Sequence, residues 1–189
     1  KIYLWIKRCD KKIEKINIPE YSSSNLTLLL KELKIIRNKK FNEEELTKLF
    51  NKQGIYLAIE EALNGTKIRG CTMVKNNNPC IYITRYFKEK ASFYFTLYHE
   101  IGHIKSDYNK LKNKIMVNNE ETSEKEIDNF ALNQMIPDNI WNKVKIDPSK
   151  REKICKDNNI PLCFLYSRLA YEGIISYKSK EYNNHKEII

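Results

Sequence analysis

The stretch from Phe93 to His103 limits what this chain can fold into more than any other part of it. It reads Phe-Tyr-Phe-Thr-Leu-Tyr-His-Glu-Ile-Gly-His, which places apolar side chains on almost every side of a helix. We therefore predict a buried helix that carries His99, Glu100 and His103. Histidines four residues apart lie one turn apart and about 40° from each other around the helix axis, so both imidazoles can reach one ion.

The chemistry of this motif indicates a metal centre. Only three histidines occur in the chain, and two of them fall here. The spacing His-Glu-x-x-His is typical of zinc hydrolases, in which both histidines bind the metal and the glutamate takes a proton from water. We expect His99 and His103 to bind Zn²⁺ and Glu100 to act as the general base. The alternative is a buried helix whose histidines make only local hydrogen bonds, although unpaired buried polar groups cost about 2–7 kcal/mol.

A third ligand has to come from an acidic residue downstream of the motif. The candidates are Asp107, Glu120, Glu121, Glu124 and Glu126. Asp107 lies one turn beyond His103 on the same predicted helix and would have to reach back past that histidine. Glu124 is favoured because Asp128 follows it by one turn on a second predicted helix, so that one carboxylate can bind zinc while the other orients a ligand histidine. Glu126 points about 200° away from Glu124, and the alternative role for the other acids is a solvated first turn stabilised by the helix dipole.

The remaining pattern predicts an α+β fold, mainly helical, with a small sheet of about three strands before the motif helix. Predicted helices cover residues 2–16, 22–36, 43–53 and 88–105. Predicted strands cover residues 55–59, 68–74 and 80–84, with residues 76–79 as a hairpin loop.

The second half of the chain is predicted to be helical apart from one loop and the tail. Residues 109–119 are expected to form an exposed loop with an apolar patch at residues 115–117. A second motif helix begins near Thr122 and ends near Ile136. Pro148 and Pro161 open two further helices, and no helical periodicity is visible from Ser176 onward.

Length and cysteine content define the class of protein. A chain of 189 residues fits one domain, which we divide into an N-terminal helical segment at 1–40, a domain at 41–177 that carries the zinc motif and a charged tail at 178–189. Five cysteines without a Cys-x-x-Cys pair indicate a reducing cytoplasm rather than a disulfide framework. No apolar run is long enough to predict a transmembrane helix, and no signal peptide is visible. Because the chain begins with Lys1, we expect a longer protein with an upstream domain.

The net charge of +10 has two interpretations. One is contact with nucleic acid or with an acidic partner. The other is a composition that is simply rich in lysine, asparagine and isoleucine. The lysines are spread over the whole chain and no aromatic–basic RNA motif occurs, which favours the second interpretation.

Taken together, the motifs resemble the ImmA/IrrE family of metallopeptidases. The resemblance rests on Phe95-Thr96-Leu97, on His99 to His103, on Glu124 with Asp128-Asn129-Phe130-Ala131, and on Met135-Ile136-Pro137. Shorter similarities, which suggest the branch found in helix-turn-helix antitoxin-like regulators, are Arg69-Gly70, Pro79 to Ile83, Ser167-Arg168-Leu169 and Glu172-Gly173. The similarity extends from about Leu26 to Tyr177. Two departures are Asp107, where that branch often has histidine, and the less acidic Lys90-Ala91-Ser92.

The resemblance implies a zincin-like zinc-peptidase fold. It implies His99, His103 and Glu124 as zinc ligands and Glu100 as the general base. It also implies cytoplasmic cleavage of a protein regulator, such as a DNA-binding repressor or a toxin–antitoxin component, in the setting of a prophage or mobile element. DNA would be contacted only through a helix-turn-helix domain that is missing here or belongs to a partner, and no membrane is involved.

Three points stay open at this level. A developing oxyanion needs a further hydrogen-bond donor, and Arg168 and Tyr166 are candidates, although either residue on a helix is more often structural. A zinc-containing regulatory or sensor module that does not cleave is the main alternative to an enzyme. A basic nucleic-acid-binding domain is a third hypothesis, and it rests on charge alone.

Overall fold

The computed structural model describes the backbone of residues 1–112 and 121–189 and the side chains of residues 1–112 and 124–189. The helices in these ranges are α1 (Ile2–Ile13), α2 (Ser23–Ile36), α3 (Glu43–Lys52), α4 (Lys90–Leu111), α5 (Glu121–Met135), α6 (Asp138–Ile146), α7 (Arg151–Asp157), α8 (Leu162–Tyr171) and α9 (Lys180–His185). The strands are β1 (Tyr56–Ile59), β2 (Gly70–Lys75) and β3 (Asn78–Ile83). The predicted α+β class, mainly helical with a small sheet before the motif helix, is confirmed.

The sheet has the strand order β1-β3-β2. β1 runs parallel to β3, whereas β2 pairs antiparallel with β3 through a tight turn. That turn consists of Asn76 and Asn77, whose φ angles of 50° and 63° are those of a two-residue type I′ hairpin. The predicted loop at residues 76–79 was therefore too long. Asn78 and Pro79 belong to β3, where a proline is tolerated because it lies at the beginning of the strand.

The sheet separates two hydrophobic cores. The larger core surrounds α4 and includes residues of α2, α3, α5, α6 and α8. The smaller core lies on the opposite face of the sheet, against α1, and contains Trp5, Cys9, Ile13, Ala58, Cys71, Met73, Cys80 and Tyr82. All of β3 is buried between these two layers. The sheet thus provides a rigid support against which the motif helix packs.

The motif helix is longer than predicted. α4 continues six residues past the expected end at Lys105, to Leu111, because Asp107 and Leu111 keep the buried face of the helix intact. The predicted loop therefore begins later than residue 109, and the rest of it, including the apolar patch at residues 115–117, lies outside the described residues. α5 ends at Met135, as predicted.

Several short elements differ from the sequence prediction. α1 ends at Ile13 rather than at residue 16, and α6 was not predicted, because only Ile140, Trp141 and Val144 mark its buried side. A 3₁₀ turn that begins at Pro148 leads into α7. Pro161 lies one residue before α8, at the N-cap position, where its backbone is extended rather than helical.

The tail also has structure that its sequence does not reveal. It contains α9, which Ser179 caps by accepting a hydrogen bond from the backbone N–H of Tyr182. Beyond α9, the backbone N–H of Lys90 donates to the carbonyl of Glu187 at 2.8 Å, and that of Ile189 donates to Lys88 at 3.1 Å. Backbone hydrogen bonds therefore connect the last residues of the chain to the beginning of α4.

Three further expectations concern the chain as a whole. The division at residues 40 and 177 stays a prediction, and leucines of α2 lie in the same core as α4. All five cysteines are free and buried. Within residues 1–112 and 121–189, every helix is too short or too polar to cross a membrane.

Candidate metal centre

The close approach of α5 to α4 builds the candidate site. Gly102 lies between the two motif histidines on the side of α4 that faces α5. A Cβ atom at this position would lie 3.0 Å from Cγ2 of Ile127 and 3.1 Å from Cδ1 of Phe130, so only glycine fits without a shift. This contact brings one face of α5 against the two histidines, and Glu124 and Asp128 are on that face.

Three side chains point their donor atoms at one spot. Nε2 of His99 lies 3.1 Å from Nε2 of His103 and 3.2 Å from Oε2 of Glu124. Nε2 of His103 lies 3.7 Å from Oε1 of the same glutamate. All three donor atoms are within 4.8 Å of one another, and both histidines are buried while Glu124 is partly exposed. These residues form a cluster that can bind a metal ion.

The outer nitrogen of His99 has a carboxylate partner. Nδ1 of His99 donates to Oδ1 of Asp128 at 2.8 Å. An ionised carboxylate only accepts hydrogen bonds, so this contact favours a proton on Nδ1, and the neutral form of that tautomer directs the lone pair of Nε2 toward the cluster. Asp128 was predicted to orient a ligand histidine, and its position matches that role.

Asp107 stands behind the other histidine. Its Oδ2 lies 3.9 Å from Nδ1 of His103, which is too far for a direct hydrogen bond, and its Oδ1 accepts one from Lys110 at 3.1 Å. Among the described residues, Nδ1 of His103 is buried without a direct partner. Asp107 therefore lies on the side of the His103 ring that faces away from the cluster. It does not approach the other ligand atoms, so its position does not support the alternative in which it is the third ligand.

Glu100 is held by the edge strand of the sheet. Oγ1 of Thr72 donates to Oε2 of Glu100 at 2.6 Å. A Cβ atom at Gly70 would lie only 2.7 Å from Oε1, so the glycine leaves the space that the carboxylate occupies. Burial raises the pKa of Glu100 to about 7, although the hydrogen bond from Thr72 and the charge of His99 act in the opposite direction. A buried carboxyl group with a pKa near 7 can accept and release a proton at neutral pH.

The histidines and Glu124 are also shifted by their surroundings. Burial, assisted by the neighbouring His99, lowers the pKa of His103 to about 4, which favours the neutral imidazole that binds metals. Burial alone would lower the pKa of His99, but Asp128, Glu100 and Glu124 together raise it. Burial raises the pKa of Glu124.

The predicted candidates for transition-state stabilisation have other partners. Arg168 is buried and donates to the carbonyls of Leu132 at 3.3 Å and Ile136 at 2.9 Å, so it caps the C-terminal end of α5. Tyr166 donates to Glu152 at 2.8 Å and stacks on His185, with 3.9 Å between the ring centroids. The hydrogen bonds and the stacking contact of these two side chains are made away from the cluster.

The other acidic candidates divide into two groups. Glu126 is exposed on α5, as expected for a residue that faces away from Glu124. Glu120, and the side chain of Glu121, lie outside the described residues.

The donor set and its spacing fit zinc. Ligand atoms at about 2.0–2.2 Å from a tetrahedral zinc ion lie about 3.3–3.6 Å apart. The two Nε2 atoms are 3.1 Å apart, and the Glu124 oxygen nearest to each lies 3.2 Å from His99 and 3.7 Å from His103, all close to this range. Two imidazoles and one carboxylate are also the ligand set of a catalytic zinc site, which keeps one position for water or substrate.

Sequence reasoning missed the residues that hold Glu100. Thr72 and Gly70 lie 28 and 30 positions before it, on a strand, and nothing in their local sequence indicates a carboxylate partner. Of the two, only Gly70 belongs to a sequence similarity, through the pair Arg69-Gly70. Asp107 was a less favoured candidate for the third ligand, and the structure places it near the outer nitrogen of His103.

Searches against protein-family models, curated proteins and solved structures found no match to this chain. The resemblance to the ImmA/IrrE family therefore rests on the motifs alone and stays a prediction. What the cluster can do follows from the positions of its own side chains.

Proposed function

We propose that this chain is a zinc metalloendopeptidase with a zincin-like fold, of the ImmA/IrrE type, and that His99, His103 and Glu124 hold the zinc. The observation that carries the proposal is the convergence of two imidazole nitrogens and one carboxylate at the spacing of zinc ligands, next to a buried glutamate that is not part of the set. A purely structural zinc site needs four protein ligands and no such base.

Each of the surrounding side chains has a task in this proposal. When bound, zinc supplies Lewis acidity, which lowers the pKa of a water ligand and polarises the scissile carbonyl. The carboxylate of Glu100 takes the proton from the attacking water, and the same carboxyl group then delivers it to the leaving amine. Thr72 keeps the carboxylate of Glu100 in place through its hydrogen bond to Oε2. Asp128 holds the ring of His99 in the orientation that directs Nε2 inward.

The position of β2 supports a peptide as the substrate. β2 is an edge strand that pairs only with β3 among the described residues. Gly70 and Thr72 of this strand contact Glu100, so β2 lies beside the candidate catalytic centre. An extended peptide can add to such an edge through main-chain hydrogen bonds, which would bring its carbonyl groups to the cluster.

The proposed substrate class is a protein regulator of the DNA-binding repressor or antitoxin type. This part of the proposal follows from the resemblance of the motifs, and it includes contact with DNA only through a helix-turn-helix domain. Action in the cytoplasm is supported by the five cysteines, which are all free thiols.

The direct test is to replace Glu100 by glutamine. Glutamine is nearly isosteric and still accepts the hydrogen bond from Thr72, so Glu100→Gln is expected to keep the fold and one zinc per chain. It removes the proton acceptor, a change worth about 10²–10⁴-fold in rate. The probes are a proteome-derived peptide library, with new N-termini counted by mass spectrometry, and the regulators encoded beside this gene. The matched control is Glu126→Gln, the same change at an exposed position of α5.

The outcomes separate an enzyme from a binding module. Cleavage by the wild-type chain and by Glu126→Gln, but not by zinc-loaded Glu100→Gln, supports the proposal. If one of the regulators is a repressor, and zinc-loaded wild type and Glu100→Gln relieve its repression of a reporter gene to the same extent, the proposal is contradicted and the domain is a regulatory module. A zinc-loaded wild type that cleaves neither probe also contradicts it.

A further inference from the structure

A cavity of about 540 Å³ opens beside the candidate metal centre. It lies between the first half of α4, the second half of α5, α8 and the C-terminal tail. Its volume falls within the range of sites that bind specific ligands. Most of its wall is apolar. The aromatic and aliphatic side chains that form it include Phe87, Phe95, Leu132, Met135, Tyr171 and Tyr182.

The cavity begins one helical turn from the cluster on α4 and two turns from it on α5. On α4, Phe95 precedes His99 by one turn, and the centroids of the two rings are 6.3 Å apart. On α5, Leu132 follows Asp128 by one turn and Glu124 by two. One turn of helix is about 5.4 Å and one residue of an extended peptide about 3.4 Å. A peptide bound across the cluster therefore places a side chain within one or two residues of the scissile bond over this cavity.

Large aromatic side chains stand exposed around the cavity. Phe87 is 45 %, Tyr171 58 % and Tyr177 52 % exposed, although each lines the same space. Aromatic surface that is gathered around a concave site and left open to water marks a binding surface. The tail supplies part of this wall, and its position is fixed because the hydroxyl of the buried Tyr182 donates to Glu89.

The charged residues of the cavity are of both signs, namely Arg69, Arg168, the exposed Lys186 and Glu89. The guanidinium of the buried Arg168 is already occupied by the carbonyls of Leu132 and Ile136 and by an ion pair with Glu172 at 3.1 Å. The guanidinium of Arg69 lies over the ring of Phe87 at 4.7 Å from its centroid, in contact with an aromatic face. The chemistry of the wall thus matches a large apolar group.

We propose that this cavity is the specificity pocket of the peptidase and takes a large apolar side chain, aromatic by preference, from a residue next to the scissile bond. The inference rests on the proposed function, and it narrows the substrate class to peptides that carry such a side chain at that position.

The test uses binding rather than turnover. A hydroxamate group binds zinc, so acetohydroxamate reports access to the metal alone, whereas 3-phenylpropanohydroxamate adds a phenyl group that can enter the cavity. We expect the zinc-loaded protein to bind the phenyl compound about 10- to 100-fold more tightly, as complete burial of such a group implies. The affinities are measured by isothermal titration calorimetry.

Matched variants identify the cavity as the source of the difference. Ser167 lines the cavity from α8, and Ser167→Trp is expected to fill it and to reduce the affinity ratio to about one while acetohydroxamate binds as before. Asn184→Trp, at an exposed position of α9 outside the lining, is expected to leave the ratio unchanged. Equal zinc content in all three proteins is the check on folding.

The unfavourable outcomes have different meanings. If the wild type binds both hydroxamates with equal affinity, or if Ser167→Trp keeps the preference for the phenyl compound, the cavity is not the specificity pocket. These results would leave the proposed metal centre unaffected. If neither compound shows zinc-dependent binding, the open metal centre of the proposed function is contradicted, and this inference fails with it.

Discussion

Two buried side chains at the site, Glu100 and His99, have hydrogen-bond partners that come from other elements. Glu100 on α4 receives a hydrogen bond from Thr72 on β2, and His99 donates one to Asp128 on α5. Such pairing fixes the ring of a ligand histidine and keeps a catalytic carboxylate at one position, and both are needed because proton transfer depends on distances of about 2.6–3.2 Å.

Asp128→Ala tests this arrangement at its most direct contact. The change removes the acceptor for Nδ1 of His99 and frees that ring to rotate, so zinc affinity is expected to fall by about 10- to 100-fold while the protein stays folded. Competition with a chromophoric chelator measures the affinity. Asn129→Ala, at the next and exposed position of α5, is the control and should bind zinc like the wild type. Equal affinities in Asp128→Ala and Asn129→Ala would show that Asp128 does not orient His99.

The residues of the site differ in how far the sequence could predict them. His99, Glu100 and His103 share one helix, so their relation follows from helical spacing. Glu124 and Asp128 were found in the same way, as carboxylates one turn apart on a second helix. Thr72 and Gly70 reach Glu100 only because the sheet packs on α4, and a local pattern contains no information on such a contact.

Among the elements, the distance between α4 and α5 decides whether the cluster exists. Gly102 sets that distance, because a methyl group in its place would press against Ile127 and Phe130 at 3.0 and 3.1 Å. Ile127 is buried, so its side chain has little room to give way, whereas Phe130 is partly exposed. We expect α5 to shift outward by a few tenths of an ångström and to take Glu124 and Asp128 with it.

Gly102→Ala is therefore expected to be harmful even though alanine favours helices. Overpacking costs about 1–3 kcal/mol, which over most of this range is more than the gain of about 1 kcal/mol in helix propensity. Both the free energy of unfolding in urea and the zinc affinity should fall. Ser106→Ala, at an exposed position of the same helix, separates propensity from packing and should be neutral or slightly stabilising. A Gly102→Ala protein as stable as Ser106→Ala, with unchanged zinc affinity, would contradict this account of the contact.

The elements themselves were predictable where the local pattern was strong. α2, α3 and the three strands lie close to their predicted positions because apolar spacing and turn residues mark them. α6 and α9 were missed because few of their residues are buried and their stability depends on packing against α7 and α8. The continuation of α4 to Leu111 was missed for a similar reason, since a polar sequence conceals the two buried positions at its end.

For the molecule as a whole, the contrast in charge is informative. The chain carries a net charge of +10, yet four carboxylates surround the two motif histidines, namely Glu100, Asp107, Glu124 and Asp128. A concentration of acidic groups in a basic protein does not follow from overall composition. It is what a buried cation requires, because paired and ligated charges are the ones that a protein interior tolerates. The basic surface itself remains without an assigned partner.

Zinc content and coordination test the central claim most directly. We predict one zinc per chain, with an X-ray absorption spectrum that fits two imidazole nitrogens and oxygen ligands at about 2.0–2.2 Å. Glu124→Ala should lose the metal, whereas Glu126→Ala, two residues away on the exposed side of α5, should retain it. Equal zinc content in these two variants, or loss of zinc only in Asp107→Ala, would contradict the assignment of His99, His103 and Glu124 as the metal centre.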